Sequence, residues 1–160
     1  TQFEPQANQK LMNDISEAIV EKTKFKLPVD FLKKWIKTSA KEPMTKEEAI
    51  NEFNKSEKGI RYQLIEGKII SENELNITFE ELKDFTAIMV QKQMLQYGQT
   101  PEKEKLDEIV SNIMSNQEET RRISEQLMGD KMLNFYKDKA PLKTKKIGFD
   151  AFIKQAYAKA

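Results

Sequence analysis

Adjacent carboxylates are the first residues in this chain whose types and spacing could do chemistry. Three of these are pairs of adjacent glutamates: Glu47 with Glu48, Glu80 with Glu81, and Glu118 with Glu119. General acid and base catalysis needs two carboxyl groups that face one cleft in different environments. Each pair instead falls in the first turn of a predicted helix, where acidic side chains interact favourably with the helix dipole. We therefore interpret the pairs as helix-capping residues and not as a catalytic site.

Other reactive groups are scarce. The chain contains no His and no Cys, which removes imidazole and thiolate chemistry and every zinc site built from those ligands. No Ser lies in a Gly-flanked nucleophile turn, and the five glycines are too far apart for a phosphate-binding or dinucleotide-binding loop. The sequence therefore predicts no catalytic residue, no cofactor and no metal, and we expect this chain not to be an enzyme.

The charge balance argues against two classes of partner. Among 160 residues, 27 are Lys or Arg and 26 are Asp or Glu, which gives a net charge of +1. Such a chain has no bulk field directed at nucleic acid or at an anionic membrane. The basic connector at residues 143–146, next to Phe149 and Phe152, is interpreted as solvated chain before a core-packing helix. We expect neither nucleic acid nor a membrane as a partner.

Methionines are the candidate binding residues. Five of them lie on predicted helices: Met89, Met94, Met114, Met128 and Met132. Methionine side chains are flexible and polarisable, so they suit surfaces that accept many apolar partners, but they also fill ordinary cores. Both interpretations stay open for these five residues. Trp35, with Phe31 one turn before it, is interpreted as a packing anchor.

The periodicity of apolar residues predicts six or seven helices and no strand. Helices are predicted to begin at Pro5, Pro28, Thr45, Thr78, Pro101, Asn116 and Phe149, with Gly98 as the cap that ends the fourth. The Thr-x-x-Glu patterns that begin at Thr45 and Thr78 have the form of capping boxes. Thr100 is predicted to cap the fifth helix.

Two glycines and three apolar residues carry expectations about packing. Gly59 and Gly67 lie inside a predicted long helix, where each costs roughly 1 kcal/mol relative to Ala. We therefore expect another helix to approach closely at one of them. Leu64, Leu82 and Phe85 are expected to be buried where the two long helices meet.

Three segments, read in order, resemble a known family. Ala18-Ile-Val20 is followed by the Leu27-Pro28 entry into a helix, and a long helical segment ends in the Asn76-Ile-Thr78 restart. A further helix is followed by the closing Phe149-Asp-Ala-Phe-Ile153 segment. From about residue 10 to residue 157 the chain resembles the C-terminal domain of trigger factor, a bacterial chaperone that meets nascent chains at the ribosome.

The resemblance implies an all-α fold, with an elongated multi-helix body and protruding helical arms. It also implies ATP-independent holding of unfolded or nascent polypeptides by those arms, a role in protein folding and transport, and a cytoplasmic location. The five methionines would then be client-binding residues. The family's Gly-Phe-Arg-x-Gly ribosome loop and its FKBP-like prolyl isomerase domain have no counterpart in this chain. We therefore expect residues 1–160 to form a single chaperone domain of a longer protein, which reaches the ribosome only through a missing N-terminal domain.

Other functions remain open at this stage. The periplasmic isomerase-linked chaperones have a similar helical body, and a signal peptide before the chain would favour them. A helical scaffold or oligomerisation module would use the apolar stripes for self-association, and a homodimer is compatible with either function. A helical nucleic-acid-binding domain is disfavoured by the near-zero net charge.

Overall fold

The computed structural model describes residues 3–100 and 102–157 of the chain. This part is all-α, with no strand, and confirms the predicted fold class: 78% of the described residues are helical. The helices are α1 (Glu4–Lys22), α2 (Val29–Ser39), α3 (Lys46–Glu72), α4 (Phe79–Gln96), α5 (Lys103–Ser115), α6 (Gln117–Lys139) and α7 (Phe149–Tyr157). No described helix combines the length and apolar character that crossing a bilayer requires.

The helices form two compact units. Unit 1 comprises residues 1–73 together with residues 148–160, and unit 2 comprises residues 74–147. Unit 1 contains α1, α2, α3 and α7, and unit 2 contains α4, α5 and α6. The chain therefore leaves unit 1, builds unit 2, and returns to unit 1 for its last helix.

In unit 1, α1 and α2 both pack on the long helix α3. The buried apolar residues are Leu27, in the connector between α1 and α2, and Ala49 and Phe53 on α3. The Lys33 ammonium group lies 5.5 Å from the centre of the Phe53 ring. The buried residues of α3 all lie in its first two turns, so the core of this unit is small.

Arg61 of α3 fastens the α1–α2 connector. Its Nη1 donates a hydrogen bond of 2.9 Å to the carbonyl oxygen of Phe25, and its guanidinium lies 5.2 Å from the centre of the Phe25 ring. Glu57, one turn earlier on α3, accepts a 3.0 Å hydrogen bond from Arg61 Nε. A single half-buried side chain thus joins residues 36 positions apart through a hydrogen bond and a cation–π contact.

In unit 2, α4, α5 and α6 pack against one another. The buried residues of the three helices are Leu82, Thr86, Val90, Val110, Ile123, Met132 and Tyr136. Thr86 is the buried polar member, and its hydroxyl donates a 2.7 Å hydrogen bond to the carbonyl oxygen of Leu82. At the junction of α5 and α6, the Thr120 hydroxyl donates to the carbonyl oxygen of Met114 at 3.0 Å.

Helix ends follow the sequence pattern closely in three places. Thr45 and Thr78 form the predicted capping boxes with Glu48 and Glu81. Asn116 caps α6, because its Oδ1 accepts hydrogen bonds from the backbone N–H groups of the second and third residues of that helix. These local patterns satisfy N–H groups that a helix start leaves without intrahelical partners.

The end of α4 also matches the prediction, whereas the start of α5 does not. Gly98 has φ of 72°, and its N–H and that of Gln99 donate to the carbonyl oxygens of Leu95 and Met94. This is the Schellman arrangement, in which the left-handed position favours glycine. The predicted cap Thr100 is wrong, because the structure has Glu102 as the residue that precedes α5. Pro101, the predicted first helical residue, lies outside the described residues.

Two packing expectations are wrong. A Cβ added at Gly59 or at Gly67 would meet no atom within 4 Å, so neither glycine marks a close helix crossing. Leu82 is buried and Phe85 is half-buried, but the side chain of Leu64 is 53% exposed. The reason is that the buried face of α3 ends at Phe53, and the later turns of this helix are only thinly covered.

Replacement of Ile123 by Ala tests the core of unit 2. Ile123 is 1% exposed, so we expect Ile123→Ala to lower the free energy of unfolding of this unit by about 2–5 kcal/mol. Urea denaturation followed by circular dichroism measures the change. Gln126→Ala, at an exposed position on the same helix, is the control and should change the free energy by less than about 0.5 kcal/mol.

Candidate functional site

In each of the acidic pairs, one carboxylate has a structural partner. Glu48 Oε2 accepts hydrogen bonds from the Thr45 backbone N–H at 2.7 Å and from the Thr45 hydroxyl at 2.8 Å. These bonds to Thr45, the backbone bond first, hold the pKa of Glu48 below its ordinary value. Glu119 pairs with the guanidinium of Arg122 at 2.8 Å. A general acid at neutral pH needs a raised pKa, so capping is the role that the geometry supports.

Glu81 is the most strongly perturbed of these acids. The Lys131 ammonium group of α6 lies 2.8 Å from Glu81 Oε1 and also donates a 3.0 Å hydrogen bond to the carbonyl oxygen of Asn76. Glu81 Oε2 accepts a 2.8 Å hydrogen bond from the backbone N–H of Thr78. The hydrogen bond from Lys131, followed by that from Thr78, lowers the pKa of Glu81 to about 2. Lys131 therefore fastens α6 to the start of α4.

This lowered pKa predicts a pH-dependent stability. Because the pKa of Glu81 falls from 4.5 to about 2 on folding, its stabilising effect is complete above pH 4.5 and is lost as the pH falls towards 2. We expect Glu81→Gln to lower the melting temperature at pH 7, and the difference from the parent chain to vanish near pH 2. Thermal unfolding at several pH values measures this difference. Glu80→Gln, on the same turn, is the control, and a Glu81→Gln effect that did not change with pH would contradict the assignment.

The five candidate methionines all lie in unit 2, on its three mutually packed helices. Met89 and Met94 are on α4, Met114 is on α5, and Met128 and Met132 are on α6. Met132 is 1% exposed, so it belongs to the core and cannot contact a partner in this conformation. The other four are half-buried, which leaves part of each side chain accessible. A binding role for these four stays a prediction.

The aromatic pair on α2 corrects the sequence interpretation. Phe31 is 64% exposed and Trp35 is 55% exposed, so the prediction that they anchor packing is wrong. Residues four apart lie next to each other on a helix, so the two rings form one exposed patch. Leu32 and Ile36, further round the same apolar face, are half-buried. The apolar face of α2 is therefore wider than the part covered by the rest of unit 1.

Unit 2 exposes a second apolar pair. Ile88 and Leu95 on α4 are 49% and 54% exposed, and their spacing of seven residues places them on one side of the helix. The buried residues Leu82, Thr86 and Val90 lie on the opposite side. Sequence reasoning missed this pair because Ile and Leu at helical spacing are usually taken as core residues, and only the packing shows which stripe of a helix is covered.

A groove of about 590 Å³ lies between α1 and α7 in unit 1. It is lined largely by polar side chains, among them Gln6, Gln9, Asn13 and Gln155, with Phe152 at one side. Gln9 Nε2 donates to Asn13 Oδ1 at 3.1 Å, so these carboxamides already bond to each other. Lys10 and Asp14 also line the groove and pair with each other at 2.6 Å, so these charges do not converge on a position that a small molecule would occupy.

Comparison with known proteins identifies the family. No curated protein and no solved structure matches the chain. Residues 7–155 match the family model described as probable trigger factor, C-terminal domain. Because this match covers nearly the whole chain and both units, the chain belongs to the trigger factor C-terminal domain family, and the resemblance seen in the sequence is confirmed. The family is one of chaperones that act in protein folding, and this domain is not itself catalytic.

Proposed function

We propose that this chain holds unfolded or nascent polypeptides without ATP, through apolar side chains exposed on its helices. The observation that carries the proposal is the set of large apolar side chains left uncovered on both units of a chaperone-family domain, above all the Phe31–Trp35 pair and the Ile88–Leu95 pair. A small apolar patch on each unit suits a client that has scattered apolar residues. A chaperone that binds only unfolded chains opposes their misassembly by mass action and needs no chemistry.

The half-buried methionines belong to the same proposal. Met89, Met94, Met114 and Met128 would adapt the surface of unit 2 to side chains of different shape, because thioethers are flexible and polarisable. Met132 is left out because it is buried. We also propose a cytoplasmic setting, and that ribosome docking and prolyl isomerisation reside in domains of a longer protein outside this chain.

Aggregation of a denatured client tests the holding function. We expect the chain to suppress light scattering by a chemically denatured client without ATP, and the suppression to change less than about twofold between low and moderate salt for a client of neutral net charge. Apolar contacts depend only weakly on ionic strength, which is the reason for this expectation. A collapse of the suppression at moderate salt would contradict apolar holding.

Replacement of Ile88 and Leu95, the exposed apolar pair of unit 2, tests whether this pair contributes to client holding. The double variant Ile88→Ser/Leu95→Ser should suppress aggregation less well than the parent chain, because each exposed side chain contributes apolar contact area. Gln91→Ser, at an exposed position between them, is the matched control and should leave suppression unchanged. If the pair instead served self-association, the double variant would change the oligomeric state seen by analytical ultracentrifugation and leave suppression intact.

The chain alone should have neither prolyl isomerase activity nor ribosome affinity. The part of the chain that the structure describes is helical throughout its regular elements, whereas catalysis of X–Pro rotation needs a preorganised apolar pocket. A proline-peptide isomerisation assay and co-sedimentation with ribosomes measure both properties. Turnover at micromolar protein, or pelleting that survives moderate salt, would contradict the proposed division of functions between domains.

A further inference from the structure

The near-neutral net charge of the chain hides a strongly basic segment. Residues 22–41 run from the end of α1 to just past α2 and carry seven lysines against one aspartate, a net charge of +6. The whole chain has a net charge of +1, so the other residues together are acidic. The basic segment is therefore a local feature of unit 1 that the overall composition does not show.

Two exposed lysines of this segment lie on α2 on the Phe31 side of the aromatic pair. With about 100° per residue in an α-helix, Lys34 lies about 60° round α2 from Phe31 and stands beside it, whereas Lys37 lies about 120° from Phe31 and about 160° from Trp35. The exposed Asp30 lies between the two lysines, about 100° from Phe31. Both lysines are exposed, and both lie on the side of the aromatic pair away from the half-buried Leu32 and Ile36. We call Phe31, Lys34, Trp35 and Lys37 the α2 surface.

The local charge beside the aromatic pair comes from Lys34, Lys37 and the exposed Asp30 one turn before Lys34, a net charge of +1. Other lysines in the described part of the chain form ion pairs, such as Lys10 with Asp14 at 2.6 Å and Lys131 with Glu81 at 2.8 Å. Neither Lys34 nor Lys37 forms an ion pair within this described part. A partner carboxylate could therefore pair with either ammonium group without first breaking an ion pair. Such pairs are weak one at a time, so the aromatic contacts must supply part of the affinity.

We propose that the α2 surface binds segments of unfolded polypeptide in which a large apolar side chain is flanked by Asp or Glu. This inference rests on the proposed holding function and adds a preference among clients. The client's apolar side chain packs against Phe31 and Trp35, and its flanking carboxylates lie next to Lys34 and Lys37. Client segments flanked by Lys or Arg are disfavoured, because like charges would be brought together.

The size of the surface favours a peptide over other occupants. A stable dimer buries about 800 Å² on each partner, far more than two neighbouring rings provide. An interfacial membrane helix buries its whole apolar face, but part of that face on α2, at Leu32 and Ile36, is already half-buried within the chain. Two exposed rings, with Lys34 beside them and Lys37 further round the helix, fit one or two side chains of an extended segment with their acidic neighbours.

Trp35 gives a direct readout of this binding, because it is the single Trp of the chain. Three Trp-free peptides share one Phe-Leu-Phe core and carry Asp, Ser or Lys on both flanks. Titrated into the full chain at low salt, they should change Trp35 fluorescence with affinities in the order Asp, Ser, Lys, with about a tenfold span between the extremes. The span should shrink at ~0.5 M salt, where the Debye length is only a few ångströms.

Charge reversal identifies the lysines responsible. Lys34→Glu/Lys37→Glu should reverse the order of the Asp-flanked and Lys-flanked peptides. The matched control, Lys92→Glu/Lys137→Glu, makes the same change in net charge at exposed positions of unit 2 and should preserve the order. Phe31→Ala should weaken all three peptides by about fivefold or more, because the shared apolar core loses its contact. Tyr97→Ala, which removes a 76% exposed aromatic in unit 2, should not.

Failure of this inference can be told apart from failure of the proposed function. If the chain suppresses aggregation of a neutral client but binds the three peptides equally, the preference for acidic flanks is overturned and holding survives. If the chain neither suppresses aggregation nor binds any peptide, both are overturned. A Trp35 signal that follows self-association, or anionic vesicles with no difference among peptides, would assign the α2 surface to another occupant and also overturn the inference.

Discussion

A shortage of buried apolar side chains is the constraint on which the rest of the structure depends. Neither α1 nor α2 contains a buried residue, and α3 contains two. Helices with so small a core between them need other stabilising contacts, and two cationic side chains provide such contacts. Arg61 ties the α1–α2 connector to α3, and Lys131 ties α6 to the start of α4. Each of these contacts has a charged donor, which makes its hydrogen bonds stronger than those between neutral groups.

The small core and the exposed apolar side chains have one cause. An apolar residue that is not covered by a neighbouring helix remains available to a partner, and α2 shows this on a single face. Leu32 and Ile36 are half-buried, whereas Phe31 and Trp35 are left to solvent. For an ordinary enzyme such exposure would be a liability to aggregation. In a family of chaperones it is consistent with the contact surface that holding a client requires.

Local features of this fold could be predicted from the sequence, and long-range features could not. The capping boxes at Thr45 and Thr78 and the glycine cap at Gly98 depend on residues a few positions apart, so the chain pattern is sufficient. The exposure of Trp35 depends on how much of α2 its neighbours cover, which periodicity does not reveal. The ion pair between Lys131 and Glu81 joins residues 50 positions apart. The sequence pattern does not indicate which carboxylate Lys131 contacts. The division into two units also depends on contacts between residues far apart in the sequence, so periodicity does not predict it.

Unit 1 is formed by two stretches of the sequence that are far apart, so the ribosome does not make its helices one directly after another. Unit 1 includes α7, whose Phe149 ring lies 4.7 Å from that of Phe3 before α1, yet residues 74–147 are synthesised between them. At ~5–20 residues per second this takes roughly 4–15 s. During that interval the α7-facing side of α1 has no neighbour, while unit 2 is contiguous and can fold as soon as it emerges. The helix α7 therefore joins unit 1 only after the whole of unit 2 has been made.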